Sequence, residues 1–359
     1  MHGLQLLVNR NDLEDTRWQQ APVPAPDELA PGEVLLRIDE FALTANNITY
    51  AVAGEMMRYW NFFPAPDGWG RVPVWGFATV VASNHAEVAT GERLYGYLPM
   101  GSHLLIEAGR VRANQLTDVS AHRVDLPPVY NQFQRVDAAS EPAADAAQML
   151  YRPLFMTSFV LDHFLHANGF FGAQSVILTS ASSKTALGLA LLLARRGDVR
   201  VIGLTGRANV GFVEGLGCYD EVVAYEDLAT LDAAREVVSV DMAGNGEVLA
   251  ALHNHFADNL KYSCLVGATH WDHRAGAREM AGPEPELFFA PSHIQDTDWG
   301  PGGLEARFAD AWDMLVERMS GLVTVVRADD PAEVEAVYQR LLAGEVGPDV
   351  GYVLGVDVG

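Results

Sequence analysis

Cysteine is scarce in this sequence, which has only Cys218 and Cys264 among 359 residues. A structural zinc site normally takes four ligands, and a disulfide framework takes more cysteines than one separated pair. We therefore expect neither device to hold the fold together. So few cysteines are typical of a protein that works in the reducing cytoplasm.

Long apolar runs are also missing. The chain becomes polar within its first residues, from Asn9 to Asp12, so no secretory h-region follows the start. Elsewhere no apolar run reaches the roughly 18 residues that a membrane span needs. The sequence predicts a soluble protein that is not exported and has no membrane partner.

Basic side chains are few compared with acidic ones. There are 24 lysines and arginines against 47 aspartates and glutamates, which gives a formal net charge of -23 at pH 7. Such a surface repels nucleic-acid phosphates and anionic lipids at long range. Nucleic-acid binding is therefore disfavoured, and solubility is the simplest interpretation of the charge.

The composition that remains is that of a globular protein, with 49% hydrophobic and 20% charged residues, and the length predicts two domains. Residues 33–43 alternate like a half-buried strand, and short strands with tight turns follow between residues 72 and 106. This spacing is typical of a small antiparallel barrel. Residues 112–145 lack a sustained period and predict an irregular crossing segment, while residues 322–356 return to strands of the barrel type.

From residue 144 onwards the pattern changes. Two predicted helices, 144–153 and 155–168, lead into strands and helices that alternate as far as residue 319, including a last strand and exit loop at 287–293. This alternation predicts an α/β domain with a doubly wound parallel sheet. The expected domains are residues 1–143 with 320–359, and residues 144–319.

The stretch from Ser175 to Arg196 is the centre of that second domain. A buried apolar run is followed by a hydroxyl-rich turn with one lysine, and then by apolar residues at helical spacing. A strand that feeds a helix through such a turn is typical of a phosphate-binding site. An NTPase is not expected, because Leu178 and Ser183 stand where a Walker A loop needs glycines.

Four landmarks along the chain resemble those of a known family: residues 31–35, 90–96, 216–225 and 240–244. The sequence resembles the medium-chain dehydrogenase/reductase superfamily, in its zinc-independent, quinone-oxidoreductase-like branch. The signatures Ser180-Ala-Ser-Ser-Lys-Thr185 and Thr269-His-Trp271 are similar to those of a bacterial subgroup of that branch.

This resemblance implies a GroES-like barrel domain, formed from both ends of the chain, and a central Rossmann domain. It also implies hydride transfer with a nicotinamide cofactor in the cleft between them. Relatives often pair through the sheets of their cofactor domains, so a homodimer is one of the expected assemblies.

The cofactor turn departs from the glycine-rich turn of the family. Hydroxyl groups of Ser180, Ser182, Ser183 and Thr185 stand there as hydrogen-bond donors, with Lys184 as a cation near a helix N-terminus that favours anions. We expect these side chains to hold a pyrophosphate. The alternative is a turn that caps the helix with serine and binds nothing.

The end of the next strand indicates which nicotinamide cofactor is bound. NAD sites place an acidic residue there for the ribose hydroxyl, whereas this chain has Thr205, Gly206 and Arg207. A guanidinium suits a 2'-phosphate, so we expect NADPH, held also by Tyr225. The alternative for Arg207 is a solvated loop cation. The resemblance adds Met242, Gly267 and Thr269 to the cofactor site.

No metal is expected. The zinc-dependent relatives use an early cysteine and a histidine-glutamate pair, but this chain has no cysteine before Cys218, and Trp75-Gly76-Phe77 stands where that pair is expected. His270, Asp272 and His273 cluster without a distant third ligand.

The catalytic candidates are side chains that donate a proton or stabilise an enolate: Tyr50, Tyr59, His270 and His293. Asn47, Trp60 and Trp271 are expected to line the substrate. For each of them the alternative is ordinary packing.

Together these residues predict an NADPH-dependent reductase that delivers hydride to the activated C=C bond of an apolar enone, quinone or enoyl ester. Two alternatives remain: an NADPH-dependent carbonyl reductase, and a nucleotide-binding sensor or interaction protein that keeps the fold without turnover.

Overall fold

The computed structural model describes residues 2–137, 140–266, 280–300, 303–319 and 321–358. The chain divides into two compact units. The first consists of Met1–Leu150 together with Val323–Gly359, and the second of Tyr151–Leu322.

Strands dominate the first unit, and one long helix leads out of it. Its elements up to that helix are β1 (His2–Asn9), β2 (Asp12–Pro22), β3 (Glu33–Leu43), α1 (Ala45–Val52), β4 (Trp69–Gly70), β5 (Pro73–Ser83), β6 (Arg93–Pro99), β7 (His103–Gly109), β8 (Gln115–Asp118), β9 (Gln132–Val136) and α2 (Pro142–Ala167).

In the second unit, strands and helices alternate. Its elements are β10 (Ser175–Leu178), α3 (Lys184–Arg196), β11 (Arg200–Thr205), α4 (Val210–Gly215), β12 (Glu221–Ala224), β13 (Val237–Asp241), α5 (Gly246–Phe256), β14 (Leu260–Leu265), β15 (Glu286–Leu287), α6 (Ala290–Asp296) and α7 (Gly303–Met319). The chain then completes the first unit with β16 (Thr324–Ala328), α8 (Pro331–Leu342) and β17 (Val350–Leu354).

Six strands of the first unit close into an antiparallel barrel, in the order β3-β5-β6-β9-β8-β7 and back to β3. In β7, Leu104, Ile106 and Ala108 are buried while the residues between them are more exposed, which is the period of a strand with one buried face. Closure pairs both edges of the sheet. The expected GroES-like barrel is therefore confirmed.

The barrel corrects one expectation about the first unit. Residues 112–145 were expected to form an irregular crossing segment, but β8 and β9 lie within them and complete the barrel. These strands are only 4 and 5 residues long. Local periodicity therefore carried little signal for either.

The second unit contains a sheet of six parallel strands in the order β12-β11-β10-β13-β14-β15. Every residue of β10 and β13 is buried, as expected for strands covered on both faces. Ile177, Leu204 and Val237 pack with Leu252 and Phe256 of α5 in one core cluster. This is the strand order of dinucleotide-binding domains, so the doubly wound sheet is confirmed.

Two helices differ from the sequence expectation. The helices expected at 144–153 and 155–168 form the single helix α2, with Pro153 inside it. A proline in a helix removes one backbone hydrogen bond, which long flanking segments can outweigh. A strand and exit loop were expected at 287–293. The structure instead has the two-residue strand β15, and His293 lies on α6.

Among the residues that the structure describes, none of the helices is both long enough and apolar enough to span a bilayer.

Candidate functional site

Parallel strands of the second unit bring their carboxyl ends to one edge of the sheet. The segments that follow β10, β11, β12 and β13 are residues 179–183, 206–209, 225–227 and 242–245, and we call them the carboxyl edge. The strand order reverses between β10 and β13. Such switch points are where open α/β sheets bind ligands.

Ser180 adopts a backbone conformation that normally favours glycine. Its φ of 48° lies in the left-handed region, where a side chain costs roughly 1 kcal/mol. Its backbone N–H donates to the hydroxyl of Tyr225, 2.9 Å away. The turn thus has the left-handed backbone conformation that usually requires glycine, although a serine occupies the position. Tyr225, from the segment after β12, stabilises it.

Ser183 is the N-cap of α3, because its Oγ accepts the N–H of Ala186 at 3.2 Å. Lys184 and Thr185 begin the helix, so both lie at its positive end. Ser182 Oγ accepts from Thr205 Oγ1 at 3.5 Å. The structure therefore brings together the hydroxyl groups that the sequence analysis singled out, and it assigns Ser183 a capping role.

Thr179 and Asp241 support this edge, and the sequence analysis missed both. Thr179 Oγ1 accepts the N–H of Met242 at 2.9 Å and donates to Asp241. The carboxylate of Asp241 accepts the N–H groups of Ala243 and Gly244, each at 3.1 Å. Burial raises the pKa of Asp241, while these hydrogen bonds lower it. Asp241 could have been found from the sequence, because it is an acidic residue at the end of an apolar strand.

Arg207 is paired with acidic residues of the same edge. Its Nη1 lies 2.8 Å from Asp227 Oδ2, and its Nη2 lies 3.6 Å from Glu226 Oε2. The hydrogen bond to Asp227 raises the pKa of Arg207 and lowers the pKa of the Asp227 carboxyl. The guanidinium is 61% exposed, so an added phosphate can reach it but must compete with two carboxylates.

His293 stacks on Phe288 with the ring centroids 4.4 Å apart and also contacts Phe164. Burial lowers the pKa of His293. The structure places it in an aromatic group of the second unit, whereas Gly267, Thr269, His270 and Trp271 lie outside the described residues.

Tyr50 and Tyr59 belong to a buried group in the first unit that also contains Tyr97 and Tyr130, and we call these four residues the tyrosine cluster. The hydroxyls of Tyr59 and Tyr130 lie 3.4 Å apart, and Trp75 Nε1 donates to the Tyr50 oxygen at 3.3 Å. Burial raises the pKa of all four phenols. The Tyr97 hydroxyl has no hydrogen-bond partner among the described residues.

Asn47 and Trp60 are both buried in the first unit. Asn47 Oδ1 accepts the N–H of Thr44 at 2.7 Å at the start of α1, and its Nδ2 donates to the carbonyl of Pro73 at 2.8 Å. Trp60 is buried so tightly that a Cβ on Gly54 would lie 2.1 Å from the indole nitrogen. The side-chain amide of Asn47 is therefore engaged within the first unit.

In the part of the chain that the structure describes, no group of three or more His, Cys, Asp or Glu side chains could hold a metal ion. His270, Asp272 and His273 are not in that part.

Comparison with known proteins extends these observations. Residues 41–347 match the model of the family described as "Protein of unknown function (DUF2855)". The chain belongs to this family. No curated protein matches the sequence of this DUF2855 member.

Solved structures share the fold of the whole DUF2855 chain at low sequence identity. CurA from Vibrio vulnificus, in complex with NADPH, has a TM-score of 0.59 at 12% identity and covers 99% of this chain and 100% of its own. A mutant enoyl thioester reductase from Candida tropicalis gives 0.56 at 10%, with 99% and 100% covered. The yhdH oxidoreductase from Salmonella enterica, in complex with NADP, gives 0.51 at 15%, also with 99% and 100% covered. The DUF2855 chain therefore has the fold of medium-chain dehydrogenases/reductases.

The carboxyl edge of this DUF2855 member fits the phosphates of a dinucleotide. The turn after β10 keeps a left-handed residue at Ser180 and consists of small side chains up to Ser183. It runs directly into the N-terminus of a 13-residue helix, whose first residue is Lys184. A narrow turn, a helix N-terminus and a cation are the features that an anion of this kind requires.

Proposed function

We propose that the chain is an NADPH-dependent oxidoreductase that transfers hydride to the activated C=C bond of a small apolar substrate, without zinc. The observation that carries this proposal is the serine turn at the switch point of the parallel sheet, with α3 beginning at Lys184. The shared fold supports it, because CurA was crystallised with NADPH and the Candida tropicalis protein is an enoyl thioester reductase. The absence of cysteine before Cys218 supports independence from zinc.

In this proposal the pyrophosphate lies against the turn and the first residues of α3. Ser180, Ser182, Lys184 and Thr185 supply donors and positive charge there. Arg207 binds the adenosine phosphate in competition with Asp227. Tyr225 and Met242 flank the same edge, and Gly267 and Thr269 keep the role that the family resemblance implies.

The bound cofactor supplies the hydride, and the protein must supply the rest. Addition of hydride to the β carbon of an enone leaves an enolate, which needs a stabilising donor and then a proton. Tyrosines can supply both, because a phenol is protonated at neutral pH and its hydroxyl group can donate to an enolate oxygen. Burial raises the pKa of Tyr50 and Tyr59 further, so both hydroxyl groups stay protonated until the enolate forms. Hydrogen bonds with Trp75 and Asn46 lower the pKa of Tyr50 against the effect of burial, which favours release of its proton. We therefore propose Tyr50 as the proton donor, with Tyr59 beside it.

The histidines have different proposed roles. Burial lowers the pKa of His293, so its imidazole is neutral at neutral pH and acts as an acceptor rather than as an acid. His270 remains a candidate acid through the family resemblance, with Trp271 beside the substrate.

The first test is calorimetric titration of the full chain with NADPH and NADH, followed by assay of NADPH oxidation on a panel of enones, quinones and enoyl esters. Tighter binding of NADPH supports the proposal, together with a saturated carbonyl product from an enone or enoyl ester or a hydroquinone from a quinone. An allylic alcohol product selects the carbonyl reductase. NADPH binding without turnover on any substrate selects the non-catalytic sensor, and the absence of nucleotide binding refutes the cofactor site.

Two variants locate the phosphates. Lys184→Ala is expected to weaken NADPH and NADH alike, whereas Arg207→Ala is expected to weaken NADPH alone. The control is Arg195→Ala, an exposed cation in the last turn of the same helix. Unchanged binding in both test variants would refute this placement.

A further inference from the structure

A cavity of about 200 Å³ is lined by residues of the first unit alone. Its walls come from β1, β2 and β7 and from the loops before β5 and after β8. Apolar side chains such as Phe62, Phe63 and Leu104 line part of it. The polar lining contains two arginines, two histidines, a serine, a glutamine and an aspartate: Arg71, Arg123, His103, His122, Ser102, Gln5 and Asp118. A space of this size is too small for a dinucleotide.

Arg123 places a buried cation on this cavity. Its side chain is 1% exposed, and its Nε lies 2.9 Å from Asp118 Oδ2. Its Nη1 donates to the carbonyl of Tyr130 at 3.3 Å and to Asn131 Oδ1 at 3.4 Å. Its Nη2 has no hydrogen-bond partner among the described residues. Buried donors are nearly always satisfied, so an unpaired guanidinium N–H on a residue that lines a cavity indicates a missing acceptor.

Arg71 adds a second cation with an open donor. Its Nε is buried and finds no hydrogen-bond partner in the described ranges, and no carboxylate there lies within ion-pair distance of it. Burial lowers the pKa of Arg71, but a guanidinium starts so high that it stays charged. Asp118 balances the charge of Arg123, so the positive charge of Arg71 remains without a counter-charge.

The two histidines that line the cavity add no charge to it. Burial lowers the pKa of His103 and of His122, and the nearby arginines lower both further. Both rings are therefore neutral at neutral pH. His122 Nε2 lies 3.2 Å from the carbonyl of Phe62, and His103 Nδ1 lies 2.9 Å from Ser102 Oγ. The residues that line the cavity thus carry one net positive charge, and two of them, Arg71 and Arg123, have buried N–H groups without a hydrogen-bond partner among the described residues.

We propose that this cavity binds a small oxyanion, either a phosphate or the carboxylate of a short apolar acid, between Arg71 and Arg123. Guanidinium forks match the oxygen geometry of both groups, and an oxyanion supplies the acceptors that the two side chains lack. The apolar wall accommodates a short hydrocarbon body. The site is separate from the proposed cofactor site, because all of its lining residues belong to the first unit.

The test is calorimetric titration of the full chain with sodium phosphate, isobutyrate and benzoate, at an ionic strength held constant with sodium chloride. We expect one saturable site per chain for at least one of the three, and a melting temperature that rises with the logarithm of its concentration. Saturation by phosphate alone or by a carboxylate alone distinguishes the two sources. If none of the three saturates a site, the proposal is wrong.

Arg71→Gln is the deciding variant, because it removes the charge that has no counter-charge. We expect it to weaken the anion about tenfold to a hundredfold, the range of a lost charge-assisted hydrogen bond. Arg71→Lys keeps the charge but loses the fork, so its effect should be smaller. Arg110→Gln makes the same charge change at an exposed arginine outside the cavity and should leave binding unchanged. Equal binding by Arg71→Gln and the wild type would overturn the proposal.

A measurement on the wild type covers the case in which Arg71→Gln does not fold. Amide hydrogen exchange is followed with and without the saturating anion, again with chloride as the reference. Added protection at residues 102–105 and 118–123 supports the cavity. Protection confined to residues 180–186 would place the anion at the carboxyl edge and overturn the proposal.

Discussion

The backbone N–H of Ser180 donates a 2.9 Å hydrogen bond to the hydroxyl of Tyr225. The amide belongs to the turn after β10 and the hydroxyl to the segment after β12, so the bond joins two segments of the carboxyl edge. In a glycine-rich turn such an amide is available to a phosphate. Here a side chain of the protein already occupies it, and the turn is held in shape before any ligand arrives.

Tyr225→Phe is expected to lower the free energy of unfolding by about 1 kcal/mol, because it leaves the Ser180 amide without its partner. Ser180→Gly is expected to be neutral or to stabilise by up to about 1 kcal/mol, since glycine relieves the cost of the positive φ. Urea unfolding measures both. Ser182→Gly is the control, because Ser182 does not have a positive φ and should lose stability. If the Gly substitution lowers the free energy of unfolding as much at position 180 as at position 182, the left-handed conformation of Ser180 is wrong.

Asp227→Asn is expected to tighten NADPH binding about two- to fivefold, the scale of an exposed ion pair, because it frees Arg207 from its nearest carboxylate. NADH binding should not change, since NADH lacks the 2'-phosphate. Calorimetry at low salt measures both affinities. Asp258→Asn makes the same charge change at an exposed site elsewhere in the second unit and serves as the control. A parallel gain for NADH would contradict a role at the 2'-phosphate.

His253 should make stability depend on pH. Its Nδ1 lies 2.9 Å from the carbonyl of Ala281, so Nδ1 carries the hydrogen, and its Nε2 accepts from Ser263 Oγ at 2.8 Å. Burial lowers the pKa of His253 below its ordinary value of 6.5. The unfolded chain therefore binds the proton first, and this contribution to stability is complete above about pH 6.5 and is lost as the pH falls below it.

The measurement is the free energy of unfolding across about pH 5 to pH 8 for the wild type and for His253→Gln. The wild type should lose stability more steeply in acid, by up to about 1.4 kcal/mol per pH unit. Other histidines titrate as well, so the difference between the two curves isolates His253. Parallel curves would show that His253 is not held neutral by the fold.

Gly76→Ala is expected to destabilise the barrel by about 1–3 kcal/mol through overpacking. A Cβ at this position would lie 2.4 Å from the backbone oxygen of Glu40 and 2.7 Å from Phe41 Cβ on the paired strand. Gly211→Ala, on α4, meets nothing within 4 Å and should be neutral or slightly stabilising. Thermal unfolding compares the two. Equal melting temperatures would contradict the close approach of β3 and β5.

Tyr50→Phe tests the proposed proton donor. Loss of general acid catalysis typically costs about a hundredfold to ten-thousandfold in kcat, and NADPH binding should be unchanged. Tyr97→Phe is the matched control in the same cluster, because the Tyr97 hydroxyl has no hydrogen-bond partner among the described residues. That change should keep activity and raise stability. Full activity of Tyr50→Phe would exclude Tyr50 as the donor.

Periodic segments of the chain were predictable, and short or interrupted ones were not. The alternation of buried strands and amphipathic helices after residue 174 indicated a parallel sheet, and the structure has one. The strands β8 and β9 gave no such signal, because four or five residues beside Pro127 and Pro128 carry too little periodicity. Pro153 predicted a break, yet packing along the flanking residues keeps α2 continuous.

In the candidate site, too, local patterns were predictable from the sequence and contacts between segments were not. Hydroxyl groups and a lysine between a strand and a helix were visible as a pattern, and so was Arg207 at the end of the next strand. The pairing of Arg207 with Asp227 was not visible, because it joins segments that follow two different strands. Neither was the support from Asp241, whose role depends on a hydrogen bond to Thr179.

The sequence by itself determined the class of fold and the position of the serine turn between β10 and α3, because periodicity and residue type act over a few neighbouring positions. The tertiary structure alone decided which donors are already engaged, which charges are balanced and which are not. The backbone N–H of Ser180 donates a hydrogen bond to Tyr225, and Arg207 forms an ion pair with Asp227. Arg71 lines a cavity, and its Nε has no hydrogen-bond partner among the described residues. These outcomes depend on contacts between residues far apart in the chain, which arise only when distant segments pack together.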